Sequence, residues 1–175
     1  MKKILLFALA LTVSVMSVSA KDYKHSVGMV AGSGIGAQYK TMLMDHFTLI
    51  DEFGYLGSFA AATNGGAMPT FGAVDNLVLA YQATAAEGEG IKLDWYAGGQ
   101  IKAGYIDVGA AGGIIGAGAA AGIEANMMNA PIAFSFDFRP GYGCVLMNNA
   151  AWGGTGVTAA HVFDWTINLG VRYTF

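Results

Sequence analysis

From His161 to the C-terminus the chain reads His-Val-Phe-Asp-Trp-Thr-Ile-Asn-Leu-Gly-Val-Arg-Tyr-Thr-Phe. Phe163, Trp165, Ile167, Leu169, Val171, Tyr173 and Phe175 make one set of alternate positions, all apolar or aromatic. The interleaved set is Val162, Asp164, Thr166, Asn168, Gly170, Arg172 and Thr174. Successive side chains point to opposite faces in an extended chain, so this period of two predicts a β-strand. One wholly apolar face with charges on the other suits a sheet between hydrocarbon and a polar interior, the arrangement of a transmembrane β-barrel. A strand of a soluble sandwich shows the same alternation, so the segment sets the expectation without closing the question.

Turn residues divide the chain upstream into further strands. The predicted elements are Lys24–Ala31, Ile35–Met42, Phe47–Gly57, Phe71–Gln82, Ile91–Tyr105, Gly113–Ala125, Ile132–Arg139 and the C-terminal strand. Between them lie Gly32-Ser33-Gly34, Met44-Asp45-His46, the loop Ala61–Pro69, Glu87-Gly88-Glu89-Gly90 and the turn Asn126–Pro131. Tilted membrane strands need about 9–11 residues each, and eight of them use roughly half of such a chain. The expected fold class is therefore all-β, an eight-stranded antiparallel up-and-down transmembrane barrel with both ends of the chain on one side. Ten strands, with very short connections, are the alternative.

The N-terminus adds a compartment. Lys2 and Lys3 precede an apolar run from Ile4 to Val15, and Val18-Ser19-Ala20 offers small residues for cleavage. This is the layout of a secretory signal peptide over residues 1–20, leaving 21–175 as the barrel domain. A retained membrane helix is the weaker reading, because the run is short for a span. Past Ala20, seven Lys and Arg remain against twelve Asp and Glu, a net charge of −5. Such a chain offers no basic patch for nucleic acid. Cys144 is alone and has no internal disulfide partner. Mean hydropathy is positive, yet no run after the leader reaches the roughly 18 apolar residues of a membrane helix. An exported hydrophobic chain without such a helix satisfies its backbone in lipid by closing into a barrel.

Alternation also sorts the charges. Lys40, Lys92, Lys102, Arg139 and Arg172 fall on the inward face, as do Glu52, Asp94, Glu124, Asp137 and Asp164. An eight-stranded barrel is just wide enough for its side chains to fill it. Equal numbers of opposite charges in that space predict a salt-bridged plug, since unpaired buried charge is prohibitive. Asp51 and Asp75 break the pattern by falling among Leu49, Phe53, Leu77 and Leu79 on the lipid face. A bulge that re-aims them, a position at headgroup depth or a partner interface are the explanations open here. Tyr39, Tyr81, Trp95, Tyr105, Trp165 and Tyr173 face outward, where interfacial aromatic girdles would place them. Gly112, Gly113, Gly116, Gly118 and Gly122 are read as making room inside a narrow barrel for large side chains.

The ending Leu169-Gly170-Val171-Arg172-Tyr173-Thr174-Phe175 resembles the C-terminal insertion signal of outer-membrane proteins, with Leu169, Val171, Tyr173 and Phe175 as its apolar face. Gly36-Ala37-Gln38-Tyr39-Lys40-Thr41, Leu93-Asp94-Trp95-Tyr96-Ala97-Gly98-Gly99 and the run from Asn129 through Asp137-Phe138-Arg139-Pro140-Gly141-Tyr142 are similar to segments of small outer-membrane β-barrel-domain proteins of the Bacteroidetes type. The resemblance implies an OmpX-like, porin-like barrel in the bacterial outer membrane. It implies outer-membrane lipid and the barrel-assembly machinery as partners, and brings no catalytic residues or cofactor.

The leading functional expectation is a non-enzymatic barrel with a structural, adhesive or envelope-integrity role. An outer loop at about Gly141–Val157, with Tyr142, Met147, Asn148, Asn149 and Trp152, is its candidate contact surface for a ligand the sequence does not name. A passive channel for small solutes is the alternative. A lipid-modifying enzyme is the third reading, but His25, His46 and His161 have no nucleophile at a recognisable spacing. Dispersed histidines and one cysteine give no metal-ligand pattern.

Overall fold

The computed structural model describes residues 23–32, 34–55, 71–107, 111–148 and 157–175. Eight strands follow in order: β1 His25–Ala31, β2 Ile35–Met44, β3 Phe47–Tyr55, β4 Phe71–Gly88, β5 Ile91–Asp107, β6 Ala111–Met127, β7 Ile132–Asn148 and β8 Val157–Thr174. Each is antiparallel to the next, and β8 pairs with β1 to close the barrel. Backbone bonds between His25 and Phe175, at 3.0 and 2.8 Å, fasten the two ends of the described chain together. That edge, called the near end below, also carries the turns Asp45-His46 and Glu89-Gly90 and the connection at 128–131. Closure pairs the first strand with the last, the arrangement that lets a sheet satisfy its backbone in hydrocarbon.

Burial follows the pleat, as in β2, where Gly36, Gln38 and Lys40 are buried and Ile35, Ala37 and Tyr39 are exposed. The usual polarity is reversed. Arg139 and Arg172 are among the largest fully buried side chains, while Phe53, Ile101 and Leu169 are each about 60% exposed (64%, 59% and 63%). A small apolar cluster of Ile50, Val78, Ala80, Tyr96 and Ala120 shares the interior with the ionic groups.

Several elements run further than the sequence suggests. β4 continues past Gln82 to Gly88 through a register shift between Thr84 and Ala86, so the acidic Glu87 belongs to the strand. The turn proper is Glu89-Gly90, where Gly90 takes φ +87°, a left-handed conformation that glycine adopts without a Cβ penalty. β7 does not stop at Arg139. Pro140 stays paired with Trp165 of β8, but the β6 ladder is broken between its Gly118–Gly141 and Ala121–Phe138 pairs. A proline lacks the N–H that side needs, so it interrupts one ladder without ending the strand. Tyr142, Met147 and Asn148 therefore lie on β7 and not in an outer loop, while Asn149 and Trp152 fall outside the described residues. The expected leader and cleavage point, and the loop expected at Ala61–Pro69, lie outside them as well.

The β6 glycines do make space, but for the neighbouring strand. Gly122, Gly118 and Gly116 stand in register with Tyr96, Gln100 and Lys102 of β5. A Cβ at Gly122 would lie 2.7 Å from the Tyr96 ring and 2.6 Å from the Asp137 Cβ. The inward ring of Tyr96 fits because its cross-strand partner has no side chain.

Candidate functional site: the ionic lumen

The strands aim ionic and amide side chains at one another in three levels. Nearest the near end, β5 presents Asp94. It accepts from Gln82 Nε2 at 3.1 Å, Asn126 Nδ2 at 2.9 Å and Thr84 Oγ1 at 2.8 Å. No ion pair to Asp94 occurs among the described residues; three donors hold its charge instead. Beside it, Glu124 of β6 receives Lys40 Nζ at 2.8 and 3.0 Å and an ion pair from Arg172. Arg172 also donates to Gln38 and, at 3.2 Å, to Ser135. Tyr23, just ahead of β1, donates its hydroxyl to Glu124 and accepts from Lys40 at 3.2 Å. Burial pushes the Tyr23 phenol up to about 12, which keeps it a donor.

The middle level centres on Arg139. Its guanidinium grips Glu52 at 2.5 and 2.7 Å and Asp137 at 2.8 and 2.7 Å. This two-sided fork is the geometry for which arginine outperforms lysine. Asp137 accepts further bonds from Tyr96 at 2.7 Å and Asn168 at 2.9 Å, and Gln38 donates to Glu52. The third level, toward the far end, is the buried pair Lys102–Asp164.

The structure thus gathers Lys40, Glu52, Asp94, Lys102, Glu124, Asp137, Arg139, Asp164 and Arg172 inside the barrel, each no more than 8% exposed. Lys92 is placed differently. It is half-buried at the near-end mouth, in register with Glu87, and lines a cavity of about 370 Å³ with Tyr23, Asp45, Asp94 and Asn126. Of the C-terminal residues, Leu169 and Val171 face outward, and Tyr173 and Phe175 are half-exposed at the near-end seam. Tyr23 and the amides of Gln38, Gln82, Asn126 and Asn168 are the lumen groups that counting charges overlooks. Their signal in the sequence is the inward parity of the amides, while Tyr23 precedes any strand and has none.

Asp51 and Asp75 are both exposed on the outer wall. No bulge accounts for them, because the β2–β3 register runs unbroken from Ile35–Tyr55 to Met42–Thr48 and the β3–β4 register is continuous throughout. They sit diagonally across β3 and β4, where the two carboxyls act on each other. Two carboxyls among Phe53, Leu77 and Leu79 oppose burial in lipid. Replacing both by leucine is expected to stabilise the lipid-embedded barrel by about 1–2 kcal/mol, given the modest depth-dependent penalty of acids on such a face. Urea midpoints measured in phospholipid vesicles check this.

The histidines lie outside the lumen. His25 is 2.9 Å from the Tyr39 hydroxyl, and His46 is 3.3 Å from the Gln82 carbonyl. His161 stacks on Tyr142 and stands 3.4 Å from Cys144 Sγ, its register partner on β7. No group of three metal-binding side chains occurs among the described residues. Tyr39, Tyr81, Trp95, Tyr105 and Trp165 are exposed on the outer wall, and Tyr81 packs against Phe47, His46 and Trp95 near the near end.

The sequence matches no protein-family model and no curated protein. Among solved structures, the chain is similar to a major outer membrane protein from Thermus thermophilus, at 12% identity and a TM-score of 0.47, covering 88% of this chain and 100% of that one. It is also similar to Neisserial surface protein A, at 13% identity and a TM-score of 0.42, covering 86% of this chain and 93% of that one.

Proposed function

We propose that this chain is an integral outer-membrane β-barrel of a Gram-negative envelope, non-enzymatic, with a closed ionic lumen and a structural, adhesive or envelope-integrity role. The observation that carries the reading is the inverted polarity of a closed sheet. Long apolar side chains cover the outside, while arginines, lysines and carboxylates pair within. In water such a wall would be a large exposed apolar surface; in a bilayer it is solvated by lipid chains. The leader predicted over residues 1–20 and the C-terminal pattern of Leu169, Val171, Tyr173 and Phe175, which resembles an insertion signal for the barrel-assembly machinery, support the same destination.

The plug supports a structural role over a transport one. Glu52, Arg139, Asp137 and Tyr96 cross the lumen between the near-end cavity and a smaller cavity at the far end. An ion crossing the barrel has to break buried charge-assisted bonds. The folded protein in planar bilayers is therefore expected to give no resolved single-channel steps. Clear steps would transfer the case to the alternative of a porin-like passive channel.

A further inference from the structure

Gln100 of β5 is 5% exposed and makes no hydrogen bond among the described residues. Its amide belongs to the wall of the far-end cavity, about 60 Å³, which Glu52, Asn76, Lys102, Arg139 and Asp164 also line. The side chain is accommodated by two glycines. A Cβ at Gly118 would lie 3.0 Å from Gln100 Nε2, and one at Gly141 would lie 3.4 Å away. The amide is engaged by no neighbouring side chain and meets the open space of that cavity, so it is free to bond a group that enters.

The walls decide what that group is. Lys102 is already paired with Asp164, and Arg139 with Glu52. A free ion would have to break one of these pairs to be held, whereas an uncharged group would not. An amide such as Gln100 both donates and accepts, so its complement does the same. The space holds roughly four water-sized atoms, the size of a minimal amide. We propose that this vestibule binds a small uncharged solute presenting a hydrogen-bond donor beside an acceptor, an amide-like group, with Gln100 as its central contact. This goes beyond the structural role proposed above, and it stands or falls independently of the lumen's failure to conduct.

Gly54 provides a control. Its inward Cβ position meets nothing nearer than 3.6 Å, so a large side chain there projects toward the cavity that Gly54 lines. The experiment titrates acetamide into the folded barrel in zwitterionic micelles and follows side-chain amide resonances by NMR. The expected result is a saturable shift of the Gln100 amide, an affinity about tenfold weaker in Gln100→Leu, whose binding is followed through the Asn76 amide, and loss of binding in Gly54→Phe. Sodium acetate and ammonium chloride are expected to give no saturable shift. A Gln100 amide that does not respond to acetamide, an equal affinity in Gln100→Leu or a response to the ions alone would overturn the proposal. Gln100→Leu is close in size to the native residue, so the test holds even where Gly54→Phe does not fold.

Discussion

Arg139→Leu is expected to lower the unfolding free energy of the barrel by about 3–5 kcal/mol, the loss typical when one partner of a buried ionic network is removed. Arg139 is 2% exposed and is the cation shared by Glu52 and Asp137. Without it two carboxylates face each other inside the barrel, with Gln38, Tyr96 and Asn168 as their remaining donors among the described residues. The loss thus comes from stranded charge more than from the missing contact. Adding Glu52→Gln and Asp137→Asn to the same variant is expected to restore most of the stability. Urea titrations of all three proteins by tryptophan fluorescence in vesicles measure both effects.

Glu124→Ala is expected to destabilise by a similar amount, about 3–5 kcal/mol, for the opposite reason. It strands two cations, Lys40 and Arg172, whose side chains are both fully buried in their ion pairs with it. It also removes the acceptor for the Tyr23 hydroxyl. Tyr23→Phe deletes that single hydrogen bond while keeping the ring beside Lys40, and is expected to cost about 1 kcal/mol. A Glu124→Ala effect no larger than that of Tyr23→Phe would mean that water reaches Lys40 and Arg172.

The barrel was largely legible because its signal is local. Alternation in β8 needs only neighbouring residues, and it assigns Asp164, Asn168 and Arg172 to one side without knowledge of any partner strand. Partners are a matter of register across the lumen, and no local pattern encodes them. Hence Lys40 and Glu124, far apart in sequence, give no sign that they meet at 2.8 Å. Local reading misled where a residue's usual meaning was overridden. The local reading ends the strand at Arg139 and opens an outer loop at Gly141, yet pairing with β8 carries β7 through both Pro140 and Gly141. Lys92 has inward parity but lies one residue into β5, where parity no longer ensures burial. Asp51 and Asp75 look like separate anomalies until the β3–β4 register sets them side by side.

The most direct test of the whole account is site-directed spin labelling along β8 in phospholipid vesicles, in a Cys144→Ala background. Labels placed singly from Phe163 to Val171 are read for collision with oxygen, which partitions into lipid, and with a water-soluble nickel chelate. Oxygen contact peaking at Phe163, Trp165, Ile167, Leu169 and Val171 and falling at the positions between them is the predicted result. Nickel contact at those odd positions, or no period of two, would contradict a wall that faces hydrocarbon.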